Sequence, residues 1–300
     1  MCVGRAYHYR WLWKTKTLRR HPVALTLTPL ADNLGIEATG IDLSAPITNE
    51  DMNALRDAVH ENLVLVVRDQ DLTPAQYLDA MSLFGDLMDQ HLTELLMPEH
   101  PKIAVLDSRR AKRVLDGEIV PIGAKDWHTD HTNHARPPKM TALYAVQLPS
   151  TGGDTGFANM QAAYAGLPQD EQDRLAPMIT VNVIEQDTEY VNDSTRSALT
   201  AEPQRHPFIR THPETGKKAI YVHPGKLAHM DGMSPDESQT FINDLLSRTI
   251  TPEITYRHKW RPGDLVLWDN RATLHLAHRD YDVKEGRVMH RVILQGEVPF

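Results

Sequence analysis

The chain of 300 residues is 41% hydrophobic and 24% charged, with a formal net charge of −8 at pH 7. An acidic chain lacks the basic surface that nucleic acid or an anionic membrane requires, so we expect neither as a partner. The single cysteine, Cys2, cannot form an intramolecular disulfide, which indicates a reducing compartment, and we expect the cytoplasm. No apolar run approaches the roughly 20 residues of a membrane span.

Residues 1–22 are predicted to form a basic extension ahead of one domain, which spans residues 23–300. The first 31 residues contain no acid and six Arg or Lys residues. Such a bias resembles a transit peptide, but the stretch is short and contains no serine. We therefore expect an extension outside the folded core.

The first part of the domain mixes strands and helices. The segments "VALTLTPL" and "GIEATGIDL" are predicted strands. Thr48 is predicted to cap a helix that runs to about Leu63, and "LVLVVRD" follows as a buried strand. Thr73 and Pro74 then begin a second helix, which ends near Gly85.

From His128 onward, strands dominate the prediction, interrupted by one helix. That helix begins at Ser234, which forms a capping box with Glu237. Many short strands with few helices predict a mainly β fold, namely a double-stranded β-helix (jelly roll) with helices on its outer face.

The stretch "WHTDHTNHARPP" opens this second half and contains a His-x-Asp motif, His128 and Asp130. On a strand, side chains two residues apart leave the same face, so both would converge on one point. The motif alone is weak evidence for a metal site, because such tripeptides are common.

A third ligand is available in "LVLWDNRATLHLAHRDYD", where His275 follows a predicted turn. Two imidazoles and one carboxylate leave three positions open on a divalent ion, which is typical of mononuclear non-haem Fe(II) oxygenases. Zinc accepts similar ligands but prefers tetrahedral closure. Four other histidines lie nearby in the sequence, namely His131, His134, His278 and His290. We interpret them as surface residues or as neighbours of the ligands.

The last strand, "RVMHRVIL", carries two cations. Arg287, Met289 and Arg291 share one face by the period of two, whereas His290 lies on the other. Burying an unpaired guanidinium is costly, so each arginine is expected to meet an anion. Their Cα atoms are about 13 Å apart on an extended strand, which favours two different anions. The alternative is that both arginines pair with Asp or Glu at the rim of the barrel.

Four segments together resemble the taurine/chlorophenoxyacetate dioxygenase (TauD/TfdA) family of Fe(II)- and 2-oxoglutarate-dependent oxygenases. The resemblance runs from about Leu25 to Phe300 and rests on "DWHTD", "LPSTGGDTGFANMQAAY", "HPETGKKAIYV" and "WDNRATLH…RVMHR". It implies that iron is bound by His128, Asp130 and His275, that the distal carboxylate of 2-oxoglutarate is held by Thr155 and Arg287, and that a substrate anion is held by Arg291.

Two further residues are candidates for substrate binding. His91, shortly after "LFGDL", is similar to a substrate-binding histidine of the family, and a surface histidine is the alternative. Lys226, in "VHPGKLAHM", would add positive charge to the pocket, and a solvated loop lysine is the alternative.

The resemblance implies an enzyme that uses Fe(II), 2-oxoglutarate and O2 to oxidise a small organic anion, often with release of a leaving group. The expected substrate is a sulfonate, an alkyl sulfate or an aryloxy or other carboxylate, and the expected assembly is a homo-oligomer. One alternative is the same chemistry, hydroxylation or desaturation, on a larger biosynthetic acid. A more distant alternative is a non-catalytic jelly-roll protein that binds a metal.

Overall fold

The computed structural model describes residues 24–112, 114, 115, 118–184 and 202–300. The predicted basic extension, residues 1–22, lies outside this described part. The described residues form five α-helices: α1 (Asn49–Asn62), α2 (Pro74–Ser82), α3 (Met160–Ala165), α4 (Gln169–Leu175) and α5 (Pro235–Thr249). None of them is both long and apolar enough to cross a membrane.

Strands make up most of the remaining regular structure. In chain order they are β1 (Thr26–Pro29), β2 (Ile36–Thr39), β3 (Val64–Val67), β4 (Leu96–Met97), β5 (His100–Asp107), β6 (Val114–Leu115), β7 (Glu118–Ile119), β8 (Met140–Gln147), β9 (Thr155–Asn159), β10 (Ile179–Asn182), β11 (Gln204–Pro207), β12 (Ile209–Thr211), β13 (Lys218–Ile220), β14 (Leu227–Met230), β15 (Thr255–His258), β16 (Leu265–Asp269), β17 (Thr273–Ala277) and β18 (Val288–Leu294).

Eight of these strands form the major sheet, in the order β1-β2-β3-β16-β8-β18-β5-β4. Its neighbours are antiparallel except for β2 and β3. A second, smaller sheet has the order β15-β9-β17, and β10 pairs with both β11 and β14. Strands distant in sequence are therefore neighbours in space, and the prediction of a mainly β jelly roll is confirmed.

Strand β3 of the major sheet is buried on both faces, which explains the unbroken apolar run "LVLVV". Val64 and Val66 pack into the core between the two sheets, together with Trp268. Leu65 and Val67 point the other way, into a second core beneath α1 and α2. Since successive residues of a strand face opposite sides, a strand between two apolar layers has no polar alternation.

The helices begin where the sequence predicts. Thr48 accepts a hydrogen bond from the first turn of α1, and Thr73 caps α2 with Pro74 in its first turn. Ser234 and Glu237 form the predicted capping box of α5. Helix α2 ends shortly before its predicted end, and α1 and α2 cover the outer face of the major sheet as expected.

Two of the differences between the observed and the predicted strands bear on the site. The sequence reasoning misses β5, because Pro101 breaks an otherwise apolar strand pattern; the pairing of β5 with β18 begins beyond it, at Ala104. The His-x-Asp motif also lies outside any regular strand. His128 pairs with His275 through an isolated bridge, and the chain then bends, with His131 at a φ of 51°.

A buried ionic network holds the turn between β16 and β17, just before His275. The Arg271 guanidinium lies 2.5 Å from Asp269 Oδ2 and 2.8 Å from Glu214 Oε2. His212 Nε2 is 3.0 Å from the same Asp269 oxygen. Burial alone would raise the pKa of Asp269, but Arg271 outweighs it and holds that pKa well below its usual range.

Replacing Arg271 with Leu should destabilise the protein by about 3–5 kcal/mol, because a buried carboxylate would lose its compensating charge. The measurement is the free energy of unfolding from equilibrium urea denaturation. Arg174→Leu is the matched control, since its pair with Glu171 is exposed and should contribute below about 1 kcal/mol. Equal losses in the two variants would contradict the role given to the buried network.

Candidate active site

A cavity of about 370 Å³ lies between the major sheet and the β9–β17 side of the barrel. Strands β8 and β18 contribute Leu143 and Arg291 to its wall, while β9 and β17 contribute Thr155 and His275. The structure brings all eight predicted site residues to this one cavity, and they are His91, His128, Asp130, Thr155, Lys226, His275, Arg287 and Arg291.

The three predicted metal ligands converge at the cavity. His128 and His275 exchange backbone hydrogen bonds of 3.0 and 2.8 Å, which sets their rings 4.1 Å apart between centroids. One ligand atom from each of these residues and one from Asp130 lie within 4.8 Å of one another. Thr129 lies between His128 and Asp130 in the sequence, and its hydroxyl donates to the carbonyl oxygen of Asn270 at 2.6 Å.

The protonation of this trio suits a divalent metal ion. His128 Nδ1 lies 2.9 Å from the carbonyl oxygen of Asp126, so that nitrogen carries the proton and Nε2 keeps its lone pair for a metal. Burial lowers the pKa of both His128 and His275, so the two rings are neutral. Two neutral imidazoles and one carboxylate are the ligand set that non-haem Fe(II) sites use.

Both oxygens of the Asp130 carboxylate have partners. Oδ2 accepts a 2.6 Å hydrogen bond from the Thr141 hydroxyl, and Oδ1 lies 3.0 Å from Arg291 Nη2. Burial alone would raise the pKa of Asp130, but the charge of Arg291 outweighs it, and the pKa lies well below its usual range. The carboxylate is therefore charged and fixed in orientation.

The hydrogen bond from Thr141 belongs to a buried chain that sequence reasoning missed. Trp268 Nε1 donates to Asn270 Oδ1 at 3.0 Å, and the Asn270 amide donates to Thr141 Oγ1 at 2.8 Å. Because the Thr141 oxygen already accepts from Asn270, its proton is directed to Asp130. The only signal in the sequence was the position of Asn270 in the predicted turn before His275.

The partner of Arg291 bears on the prediction that each arginine meets its own anion. Arg291 pairs with Asp130, a predicted metal ligand, and its Nη2 also lies 3.0 Å from His131 Nε2. For Arg291 the structure therefore shows the alternative that we predicted, pairing with an acidic residue of the protein. That residue, Asp130, lies in the cavity and not at the rim of the barrel. His131 accepts the bond, so its proton is on Nδ1.

Arg287 and Thr155 are placed differently, because both present donors to the cavity. Arg287 Nε donates to the Gly153 carbonyl at 2.9 Å, and no carboxylate of the described residues forms an ion pair with its guanidinium. Thr155 Oγ1 accepts a bond from Trp260 Nε1 at 3.1 Å, and within the described part of the chain its proton meets no acceptor. A carboxylate is the group that these donors suit.

His91 and Lys226 are both buried against the cavity, which argues against the surface alternatives. His91, His131 and His134 bring one ring nitrogen each within 4.8 Å of one another. Burial lowers the pKa of His91 to about 2 and that of His134 to about 4, assisted by the charge of Lys226. Cations at Lys226 and Arg291 disfavour a second metal ion here, so we interpret the rings as neutral hydrogen-bonding groups.

The other two histidines of the motif region lie away from the ligand trio. His290 faces the outer side of β18 and lines a separate cavity with Tyr144, as its strand position predicts. His278 is partly exposed, beyond the end of β17. Neither lines the cavity that holds the predicted ligands.

Comparison with known proteins agrees with this geometry. The family model described as "Taurine catabolism dioxygenase TauD, TfdA family" matches residues 26–293. The chain belongs to this family. It is 33% identical to an alkylsulfatase of Acinetobacter baylyi over 91% of this chain and 86% of that one. It is 31% identical to an alpha-ketoglutarate-dependent sulfate ester dioxygenase of Pseudomonas putida, over 93% and 92% of the two chains.

A solved structure of AAD-2 in complex with Mn(II) and N-oxalylglycine also resembles this protein. The TM-score is 0.75 with 26% identity, and the match covers 92% of this chain and 99% of that one. The TauD family member described here is an enzyme, an alpha-ketoglutarate-dependent dioxygenase. Membership of the family implies 2-oxoglutarate and a metal.

Thr141→Val should weaken metal binding about 10- to 100-fold, because the isosteric change removes only the hydroxyl that orients Asp130. The measurement is anaerobic calorimetric titration with Fe(II) or Co(II). Thr249→Val is the control, since it removes a buried hydroxyl from α5, and Asp130→Ala should abolish binding. Metal affinity unchanged in Thr141→Val would refute the proposed orientation, and binding retained in Asp130→Ala would refute the ligand trio.

Proposed function

We propose that this enzyme uses Fe(II), 2-oxoglutarate and O2 to oxidise a small organic anion, such as a sulfonate, an alkyl sulfate or an aryloxy or other carboxylate. The observation that carries the proposal is the charge of the cavity. Its described wall contains one acid, Asp130, and four cations, namely Lys226, Arg279, Arg287 and Arg291. The charges of an Fe(II) ion and a 2-oxoglutarate dianion cancel, so the described wall keeps its net positive charge, which favours an anionic substrate.

The iron site is assigned to His128, Asp130 and His275, whose donor atoms and protonation fit it. Arg287 and Thr155 are assigned to the distal carboxylate of 2-oxoglutarate. The Nη groups of Arg287 and the hydroxyl proton of Thr155 have no acceptor in the described part of the chain, whereas Arg287 Nε donates to Gly153. Burial lowers the pKa of Arg287, but an arginine remains charged at physiological pH. A buried cation facing a cavity requires an anionic partner.

When bound, iron and 2-oxoglutarate supply the oxidation: one atom of O2 enters 2-oxoglutarate, which leaves as succinate and carbon dioxide, and the other enters a substrate carbon as hydroxyl. The protein contributes orientation and charge. A substrate carbon that carries a sulfonate, sulfate or aryloxy group releases that group after hydroxylation.

The substrate anion is assigned to Arg291, with His91 and Lys226 beside it. Arg291 lies against Asp130, so an anion held there would be next to the metal. The rings of His91 and His131 are 4.0 Å apart, and neutral imidazoles supply hydrogen bonds without charge. The relatives named for alkyl sulfates and sulfate esters support an anionic substrate.

The size of the cavity favours a small substrate over a large biosynthetic acid. At about 370 Å³ it is near the lower end of the range for ligand pockets, and 2-oxoglutarate occupies part of it. A cytoplasmic location is supported by the single cysteine, which suits a reducing compartment. The homo-oligomeric assembly stays a prediction.

Arg287→Ala should raise the KM for 2-oxoglutarate at least about tenfold, because a charge-assisted pair with its distal carboxylate is lost. Preference among substrates should change little. The measurement is succinate formation against 2-oxoglutarate concentration, with added guanidinium ion expected to restore part of the affinity. If the KM for 2-oxoglutarate is the same in the variant and in the wild type, the distal carboxylate is held elsewhere.

A panel of alkyl sulfates, sulfonates and aryloxy acids should stimulate succinate formation, whereas neutral analogues of equal length should not. Arg291→Ala should reduce the stimulated rate at least about tenfold, while the slow rate without substrate persists. Arg291→Lys should restore only part of the stimulated rate, because lysine lacks the planar fork of the guanidinium. Metal affinity, measured in parallel, separates an effect through Asp130 from one on substrate.

Each alternative gives a different result in the same panel. Equal stimulation by neutral and anionic compounds would refute the anionic substrate. Activity restricted to bulky carboxylates would favour a biosynthetic acid.

A further inference from the structure

Trp260 lies behind the pair of residues assigned to the distal carboxylate of 2-oxoglutarate. Its indole Nε1 donates a 3.1 Å hydrogen bond to Thr155 Oγ1, and its ring lies 5.8 Å from the guanidinium carbon of Arg287. Thr155 and Arg287 line the cavity, whereas Trp260 lines a separate cavity of about 710 Å³ on the other side. Trp260 therefore contacts both assigned residues from outside the pocket.

We propose that Trp260 is a positioning residue for the distal carboxylate of 2-oxoglutarate. This inference rests on the proposed function, because it presumes that Thr155 and Arg287 hold that carboxylate. A hydroxyl has one proton to donate. Since the indole N–H bonds to the Thr155 oxygen, the hydroxyl proton is turned away from the indole and towards the cavity.

The ring face of Trp260 acts on the second member of the pair. A guanidinium within about 6 Å of an indole face is attracted to it, and the attraction is larger when the cation is desolvated. Arg287 is also fixed from its other end, where Nε donates to Gly153. A Cβ at Gly153 would lie only 3.0 Å from Arg287 Cδ, so this position favours glycine, and the arginine is confined between Gly153 and the indole.

Trp260 is itself held by buried neighbours. The ring of His258 meets it edge-on, with centroids 4.6 Å apart. His258 is fully buried, and its two ring nitrogens lie 3.1 Å from Asp264 Oδ2 and 3.0 Å from the Tyr256 hydroxyl. The indole therefore rests on a rigid support, which a positioning role requires.

The test compares ligands with and without a distal carboxylate. Anaerobic calorimetry of the metal-loaded protein gives the Kd of 2-oxoglutarate and of pyruvate, a 2-oxo acid that lacks the distal group. Trp260→Phe keeps an aromatic face but loses the N–H, and it should raise the Kd of 2-oxoglutarate about 2- to 10-fold. Trp260→Leu should raise it further, and the Kd of pyruvate should change less than about twofold in both.

A double-mutant cycle shows whether the effect passes through Thr155. In a Thr155→Val background, Trp260→Phe should have little further effect on 2-oxoglutarate, because the hydroxyl to be oriented is absent. Tyr164→Phe is the control, since it removes a tyrosine hydroxyl of α3 that bonds the Gln172 carbonyl, and it should leave both dissociation constants unchanged. Unchanged 2-oxoglutarate affinity in Trp260→Phe, or an equal loss for pyruvate, would overturn the inference.

Arg287→Ala, measured with the same two ligands, separates this inference from the proposed function. If Arg287→Ala weakens 2-oxoglutarate but not pyruvate while Trp260→Phe has no effect, only the role of Trp260 is wrong. If Arg287→Ala weakens neither ligand, or both equally, the assigned carboxylate site is wrong and the inference falls with it.

Discussion

The buried carboxylate of Asp130 is the charge around which the site is organised. Burying a carboxylate costs several kcal/mol unless a cation and hydrogen bonds compensate. Arg291 supplies the cation and Thr141 the hydrogen bond, one to each oxygen. Both partners belong to the major sheet, on β18 and β8, whereas His275 belongs to the smaller sheet. The predicted metal ligands therefore meet only when the two sheets pack together.

The same arrangement creates a basic cavity within an acidic protein. The chain carries a formal net charge of −8, yet four cations and one acid line the described wall of the cavity. Low-dielectric walls strengthen the field of these charges. The buried histidines add nothing to it, because burial lowers the pKa of His91 to about 2 and keeps that ring neutral. Recognition of charge therefore falls to arginine and lysine, and the histidines contribute hydrogen bonds.

Residue type and period were enough to select three candidate metal ligands and two arginines that the structure brings to one cavity. Arg291 and His290 do face opposite sides of β18, as the period of two requires. The prediction that the motif lies on a regular strand is wrong, because the chain bends after His128. His128 and Asp130 still converge with His275, because the isolated bridge to β17 and the bond to Thr141 replace the strand geometry.

The supporting residues could not be predicted in this way. Asn270 contacts Thr141 across 129 positions of sequence, and Trp260 contacts Thr155 across 105. Each contact joins one polar atom of a strand to one of a turn or loop, so no periodic pattern marks it. Strand β5 was missed for a local reason, because Pro101 obscures a segment whose pairing with β18 begins three residues later, at Ala104.

The geometry of Arg291 is compatible with both proposed roles, as the partner of a predicted metal ligand and as the partner of a substrate anion. A guanidinium has five N–H groups, and its Nη2 carries two of them. Asp130 and His131 both lie 3.0 Å from Nη2, and the described residues offer no further hydrogen-bond partner to Nε or Nη1. Those groups can therefore bind a substrate anion while Asp130 stays paired. A lysine carries all of its donors on one nitrogen and lacks the planar fork that sets the guanidinium donors apart.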